Sequence, residues 1–403
     1  MNSQAVEYEP VSVKEVLSEM KDTAELLIDL SYSAVLLGSD DVAQEVVALE
    51  EKMDVLQMRA RMSILMAARS PSDAESLAPV LGIVGAAEKI SDAAGDIAKV
   101  VLEDIGLPDE MRAAIPDALE TLVRAEIADD SAYAGATLGG INLETETGVR
   151  ALAIRRPDGW LLNPTAGTTL RVGDVVLFRG PEAGIALVYA RATGDDYVPP
   201  NQPDADSIDL ERAVDSIVLM KDMGELAVDL AYGAILFDSE DLADEVFELE
   251  AEVDALKSRF EAWTLQAASR IDDPVSLRGL VQLANSTEVI SDAALEISEG
   301  VLRGLNTHPV VREAVYESDE IITRLVVAPE STLDRATLGS TAVKTETGMR
   351  VIAVRRTDDE RSDEHRDWDI SPGPETRLRD DDVIIAKGTR AGAEKLAGLA
   401  GDG

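Results

Sequence analysis

The sequence predicts an α+β multidomain chain, in which two three-helix bundles alternate with two small α/β modules. Three observations carry this. The first is an internal repeat. MKDTAELLIDL at 20–30 returns as MKDMGELAVDL at 220–230, EKISDAA at 88–94 as EVISDAA at 288–294, and ATLGGINLETETGVRALAIRR at 136–156 as ATLGSTAVKTETGMRVIAVRR at 336–356. The offset is 200 each time, so residues 20–156 map onto 220–356 without a gap. The second is a change of periodicity inside each copy, from helical spacing before residue 104 to short β-like runs from about 121. The third is the polar, Pro-rich stretch TGDDYVPPNQPDADS at 193–207 between the copies. The period is too long for a solenoid and describes a duplicated pair of domains: 12–104 and 121–192, a linker at 193–210, then 211–304 and 321–400.

Each element has its own signal. Val13, Val16, Leu17, Met20, Ala24, Leu27, Ile28, Ala34 and Val35 trace one face of a first helix over 12–37. Gly38-Ser39-Asp40 reads as a turn with capping residues, opening a second helix at 40–69. Ser70-Pro71-Ser72-Asp73 is another turn, with Pro suited to a first helical turn, before a third helix at 73–104. The counterparts are 212–237, 240–270 and 273–304, and residues 109–120 are expected to form a short connecting helix. LVRAEI, GVRALAIRR and DVVLFRG read as strands, and 181–191 as a closing helix. Trp160 matches Trp368, because the second copy carries eight extra residues around ERSDEHRD.

Composition narrows the function. There are 78 acidic residues against 37 basic ones, a net charge of −41, and only 10 of the basic residues are Lys. An acidic, Lys-poor but 45 % hydrophobic chain resembles proteins of salt-adapted archaea, where screening weakens self-repulsion. No basic stripe is present to neutralise phosphates, so direct nucleic-acid binding is not expected. The lack of Cys excludes disulfides and thiolate chemistry, and two His cannot build a His-rich metal centre. Residues 1–11 lack the regions of a signal peptide, and the longest uncharged apolar run, 76–87, is too short to span a bilayer. A cytoplasmic protein, not membrane-spanning, is expected. No nucleophile–base spacing, phosphate loop or HExxH occurs, so no enzyme is expected.

Glu88, Asp92 and Asp96 lie four apart and stack along one side of a helix, at a cost of a few tenths of a kcal/mol per like-charge pair. Glu88-Lys-Ile-Ser-Asp92 and Glu288-Val-Ile-Ser-Asp292, with Glu25-x-x-x-Asp29 and Glu225-x-x-x-Asp229 on the first helices and Asp54 and Asp254 on the middle ones, resemble the PhoU family of phosphate-signalling proteins, whose helical repeat carries an E/D-x-x-x-D motif. The family's His and Asn are replaced by Ala93, Ala293, Asp96 and Glu296, so the nitrogen ligands are missing from the expected sphere. If the first helix packs beside the third, Glu25 and Asp29 face Glu88 and Asp92, and likewise in the second copy. Such oxygen-only clusters suit a divalent cation, Mg²⁺, Mn²⁺, Ca²⁺ or iron. The plainer reading is a solvated acidic rim.

The β-rich part resembles the TrkA-C (RCK-C) domain, the regulatory module of potassium transporters and channels. The resemblance rests on TLG at 137–139, TGVRALAIRR at 147–156, Asn163-Pro164 and LxxGDVVL at 170–177, with TLG, TGMRVIAVRR, Pro372 and LRDDDVII at 378–385 in the second copy. No G-x-G-x-x-G follows a strand, and the PhoU-like bundle occupies the place of the nucleotide-binding Rossmann domain that often precedes this module. The resemblance implies a ligand pocket at a dimer interface, which in several members accepts cyclic di-AMP. The expected ligand residues are Ile154, Arg155, Arg156, Asn163 and Pro164 of the first copy, because the acids inserted in the second would repel an anion. Arg155 and Arg156 read equally as strand-end cations pairing with nearby acids, and Trp160 and Trp368 as packing rather than a stacking platform. Together these features imply a non-enzymatic regulator of a membrane cation (potassium) transporter or channel subunit, working as a homodimer or intrachain pseudo-dimer paired through its TrkA-C modules. The alternative is a PhoU-like regulator of a phosphate transporter or kinase.

Overall fold

The computed structural model describes residues 13–68, 70–107, 121–157, 159–162, 164–199, 208–237, 239–270, 273–302, 321–356, 368–370 and 372–401. The first bundle is α1 (Val13–Leu37), α2 (Asp40–Ala67) and α3 (Pro71–Leu102). Ser39 caps α2, its hydroxyl accepting the Val42 amide at 3.3 Å, and Pro71 opens α3. The expected face of α1 is buried from Val16 to Val35. The first module follows as β1 (Thr121–Glu126), α4 (Leu143–Thr147), β2 (Arg150–Arg156), β3 (Gly159–Leu162), β4 (Val175–Gly180) and α5 (Glu182–Thr193). The expected helix at 109–120 falls outside the described residues.

The second copy repeats this with α6 (Ile208–Phe237), α7 (Glu240–Ala268), α8 (Arg278–Leu302), β5 (Ile321–Val326), α9 (Val343–Thr347), β6 (Met349–Arg355), β7 (Trp368–Ile370), β8 (Val383–Gly388) and α10 (Arg390–Ala400). Helix ends differ from expectation by a few residues, as at α6, which begins at Ile208 rather than 212. A 3-10 turn at Pro274–Leu277, capped by the Asp273 carboxylate, precedes α8. Position 173 is Gly with φ +79°, and its counterpart Asp381 takes the same left-handed region at φ +65°, which Asp tolerates better than most residues.

Each sheet is antiparallel, in the order β1-β4-β2-β3 or β5-β8-β6-β7. The period of two sorts side chains between two cores. Leu122, Ala153 and Leu177 join the core of the bundles, whereas Ala125, Ile154, Val176 and Phe178 form a second core with Ile185 and Val188 of α5. A bulge between Ala151 and Ala153 gives Leu152 a place against the bundle, and a bulge between Val351 and Ala353 does the same for Ile352. The central strands β4 and β8 are buried on both faces, and their sequences are accordingly apolar runs rather than alternating ones.

The two copies meet through helices. α3 packs along α8 and α1 touches α6, while the two sheets remain separate. Within this chain the pairing expected of the TrkA-C modules is therefore made by the bundles, whose long apolar faces offer more area to bury than a sheet edge. Lys21 stacks on the ring of Tyr232 at 5.6 Å and Lys221 on that of Tyr32 at 5.8 Å, a reciprocal pair of cation–π contacts across the repeats. The tyrosine hydroxyls are not reciprocal. Thr287 donates to the Leu283 carbonyl at 2.7 Å, so Tyr32 donates to Thr287 at 2.6 Å. The position matching Thr287 is Ala87, which offers Tyr232 no such acceptor. Tyr32→Phe is expected to lower stability by about 1 kcal/mol and Tyr232→Phe by clearly less, read from denaturant midpoints.

Candidate functional site

The side chains that tie each module to its bundle lie on the same sheet face as the apolar contacts. Arg124 of β1, Arg155 of β2 and Arg179 of β4 continue the rows begun by Leu122, Ala153 and Leu177. Arg124 Nε bonds Glu45 Oε1 at 2.9 Å, and Arg155 bonds the same carboxylate through Nε at 2.5 Å and Nη2 at 2.6 Å. Glu45 sits on α2 with its side chain only 4 % exposed. Burial alone would raise its carboxyl pKa, but hydrogen bonds from Arg155 and then Arg124 outweigh this and hold it below the ordinary range. In the second copy Arg324 and Arg355 bond Glu245 Oε1, while Glu245 Oε2 and Arg355 Nε have no hydrogen-bond partner among the described residues. The two clamps share a design but not a completeness.

A cavity of about 230 Å³ lies where α1, α6 and both modules converge, lined by Asp22, Glu25, Asp29, Glu225, Asp229 and Lys387 among others. Leu152 and Leu162 of the first module form part of its apolar wall. Each motif acid here has a cation: Lys21 for Glu25 at 2.5 Å, Arg179 for Asp29 at 2.6 Å, Lys221 for Glu225 at 2.9 Å and Lys387 for Asp229 at 3.6 Å. Burial, with Asp29 adding to it, pushes Glu225 above its ordinary pKa, and burial, with Glu25 adding to it, does the same to Asp229. Lys21 and Lys221 would be lowered by burial, but the adjacent glutamates raise them. The motif acids of the first helices thus sense one another across the repeats.

This corrects the expected pairing. Glu25 and Asp29 are grouped with Glu225 and Asp229 at the junction of the copies, not with Glu88 and Asp92. The reason is directional: a helix in a bundle has more than one flank, and this motif lies on the flank of α1 turned to the other copy. Glu88 bonds Arg61 at 3.0 Å, and Glu288 bonds Lys257. Asp92 and Asp292 face the middle helices instead. Burial first, then Glu88 and Asp54, raise the pKa of Asp92, and burial, Glu288 and Asp254 raise that of Asp292. In the second bundle Glu250, Asp254 and Asp292 bring carboxylate oxygens within 4.8 Å of one another. Glu50 and Glu250 were missed in the sequence reading, although Glu50-x-x-x-Asp54 and Glu250-x-x-x-Asp254 show the same spacing. The first bundle offers Lys99 beside Glu50, whereas the matching residue in the second is Glu299.

The expected ligand residues do not converge. Ile154 is fully buried in the module core. Arg155 is taken by Glu45, and Arg156 bonds Asp174 at 3.0 Å through two nitrogens and the Thr169 carbonyl at 2.8 Å. Asn163 lies outside the described residues. Of the four described, Pro164 lines a groove, together with residues of the 138–151 segment. Trp160 and Trp368 pack against the bundle core, and the Arg355 guanidinium covers the Trp368 ring at 5.9 Å.

Helical bundles clamped to small mixed modules define a multidomain protein built from two alternating domain types. Its make-up follows from family models. The PhoU domain matches residues 17–101 and 217–301 and the TrkA-C domain matches 122–193 and 322–401, so the chain carries two PhoU domains alternating with two TrkA-C domains. The probable potassium channel protein 2 of Methanocaldococcus jannaschii is 25 % identical over 139 residues, which is 32 % of this chain and 38 % of that relative. The match thus spans well under half the relative's length. Among solved structures, PhoU from Pseudomonas aeruginosa aligns at 14 % identity over 72 % of this chain and 96 % of its own, with a TM-score of 0.40. The RCK domain of GsuK aligns at 13 % identity over 70 % and 64 %, with a TM-score of 0.18. No described helix is long and apolar enough to cross a membrane.

Proposed function

We propose that the chain is a non-enzymatic cytoplasmic regulator of potassium transport, in which the TrkA-C modules take up a small ligand and the PhoU bundles pass the response to a membrane transporter or channel subunit. The observation that carries this is the clamp. Two arginines of each sheet hold one buried glutamate of each bundle, so a ligand that favours one arrangement of a sheet also biases the bundle beneath it. The similarity to a probable potassium channel protein supports the choice of cation, and cyclic di-AMP is the first ligand to try by calorimetry. The exposed apolar residues Met58, Leu65, Met66 and Leu265 on the middle helices offer a surface for the partner.

Uptake of rubidium, as a potassium tracer, and of phosphate in cells lacking the chain tests the reading. Altered rubidium uptake with unchanged phosphate uptake is expected. The reverse favours a phosphate-signalling role, the reading that the PhoU domains support, and no change in either overturns both. The carboxylates of Glu250, Asp254 and Asp292 suit a hard divalent cation, Mg²⁺, Mn²⁺, Ca²⁺ or iron, since all donors are oxygen and Lys89 acts on Asp292 only as the weakest of its neighbours. Glu250→Gln with Asp292→Asn is expected to lower bound metal per chain in an elemental assay, and equal metal content in parent and variant overturns the site.

A further inference from the structure

Both modules carry a groove between the loop that leads into the short helix and the start of the following strand. In the first it is lined by Leu138, Asn142, Glu144, Arg150 and Pro164 among others, with a volume of about 240 Å³. In the second Leu338, Ala342, Lys344, Met349, Arg350 and Pro372 take equivalent places, and the volume is about 400 Å³, within the range of small-molecule sites. Two differences make the second groove a different site. Asn142 becomes Ala342 at the same backbone conformation (φ +48° and +47°), which removes a side chain from the groove wall. Glu144 becomes Lys344, which reverses the charge at the rim.

The cations of the second groove are not taken up by carboxylates. With a net charge of −41, most of the described lysines and arginines have a carboxylate partner. Among the described residues, the Lys344 and Arg350 side chains have no ion-pair or hydrogen-bond partner, yet both line one concavity with an apolar floor of Val343, Met349 and Val351. Two unneutralised cations at the mouth of an apolar groove recognise an anion attached to an apolar body: the charges bind the anion, and the floor removes the body from water. In the first groove Glu144 repels the same ligand.

We propose that the groove of the second module binds a small organic anion, a carboxylate or phosphate on an apolar body, through Lys344 and Arg350. This rests on the reading of the modules as ligand-responsive, and it moves the preferred site from the first copy to the second. The hairpin acids expected to repel an anion there lie outside the described residues.

Calorimetry on the full chain with 1-naphthoate, 1-naphthyl phosphate and the neutral 1-naphthalenemethanol tests it. The anions are expected to bind at one site per chain, at least about tenfold more tightly than the alcohol, with affinity falling as salt rises. The order of the two anions identifies the preferred head group. Lys344→Glu, at an exposed position, is expected to weaken anion binding by about tenfold or more, and Asn142→Ala with Glu144→Lys to create a second site. Equal binding of the alcohol, no anion binding, or an unchanged affinity in Lys344→Glu overturns the proposal. Anion binding without any effect on rubidium uptake counts against the sensing role and leaves the site standing. Failure to bind anions in a chain whose loss still alters rubidium uptake rejects the site and leaves the regulator reading standing.

Discussion

Glu45→Ala is expected to destabilise the first half of the chain by about 3 kcal/mol, the lower end of the range for breaking a buried ion pair. The lower end applies because Arg155 is 36 % exposed and water can partly replace its partner. Arg124 and Arg155 both lose their carboxylate, and like charges are left facing each other on one side of the sheet. Glu245→Ala is expected to cost less, since that carboxylate already has an unpartnered oxygen and Arg355 engages it through only one nitrogen. Thermal unfolding of the two variants beside the parent checks the order, and equal losses would remove the asymmetry. The pH dependence has a definite sign. A carboxyl held below its ordinary value contributes stability that is present above the ordinary value of 4.5 and disappears as pH falls through the lower folded value. Glu45→Gln should therefore lose stability at neutral pH but show a shallower decline on the acid side.

Gly279→Ala is expected to destabilise the chain by about 1–3 kcal/mol, against the gain of roughly 1 kcal/mol that Gly-to-Ala gives inside an ordinary helix. Gly279 lies in the first turn of α8, and its amide donates to the Gly106 carbonyl at 2.9 Å, where the chain leaves α3. An added Cβ would stand 2.3 Å from that oxygen and 2.9 Å from Leu107 and Val100 side-chain atoms. Two of these three neighbours can rotate, but a backbone carbonyl cannot, so the copies must separate there. Gly224→Ala is the control: its Cβ would meet nothing closer than 3.7 Å, and the ordinary helical gain is expected. A midpoint for Gly279→Ala at or above the parent's would show that the junction yields.

Local features of the fold were legible because they are written in neighbouring residues. Ser39 as a cap, Pro71 as a helix start and the apolar face of α1 each depend on a few adjacent side chains. The exchange of Gly173 for Asp381 in a left-handed turn was likewise open to inspection. What spacing does not encode is the partner of a polar flank. Glu25 and Asp29 share a side of α1, but whether that side meets α3 or α6 depends on how two 200-residue copies dock. Arg155 and Glu45 are 110 positions apart, and nothing local links them. The surroundings of Ile154 and Arg155 were hidden for a related reason. Alternation assigns Ile154 and Arg155 to opposite faces of β2, and both faces are covered: one by α5, the other by the bundle. The groove residues carried a signal that a copy-against-copy reading could have found, the change from Glu144 to Lys344.

The helical junction between the copies has a consequence for how this molecule behaves on dilution and in evolution. Two separate chains joined by α3–α8 contacts would come apart as their concentration fell. The linker at 193–210 instead keeps the halves at an effective concentration in the millimolar range, whatever the number of molecules in the cell. The tether also lifts the restriction of a symmetric dimer, in which any substitution appears on both sides at once. Thr287 could arise opposite Tyr32 while Ala87 stayed opposite Tyr232, and Lys344 could appear in one groove while Glu144 remained in the other. Fusion thus lets one half specialise while the other keeps its original chemistry.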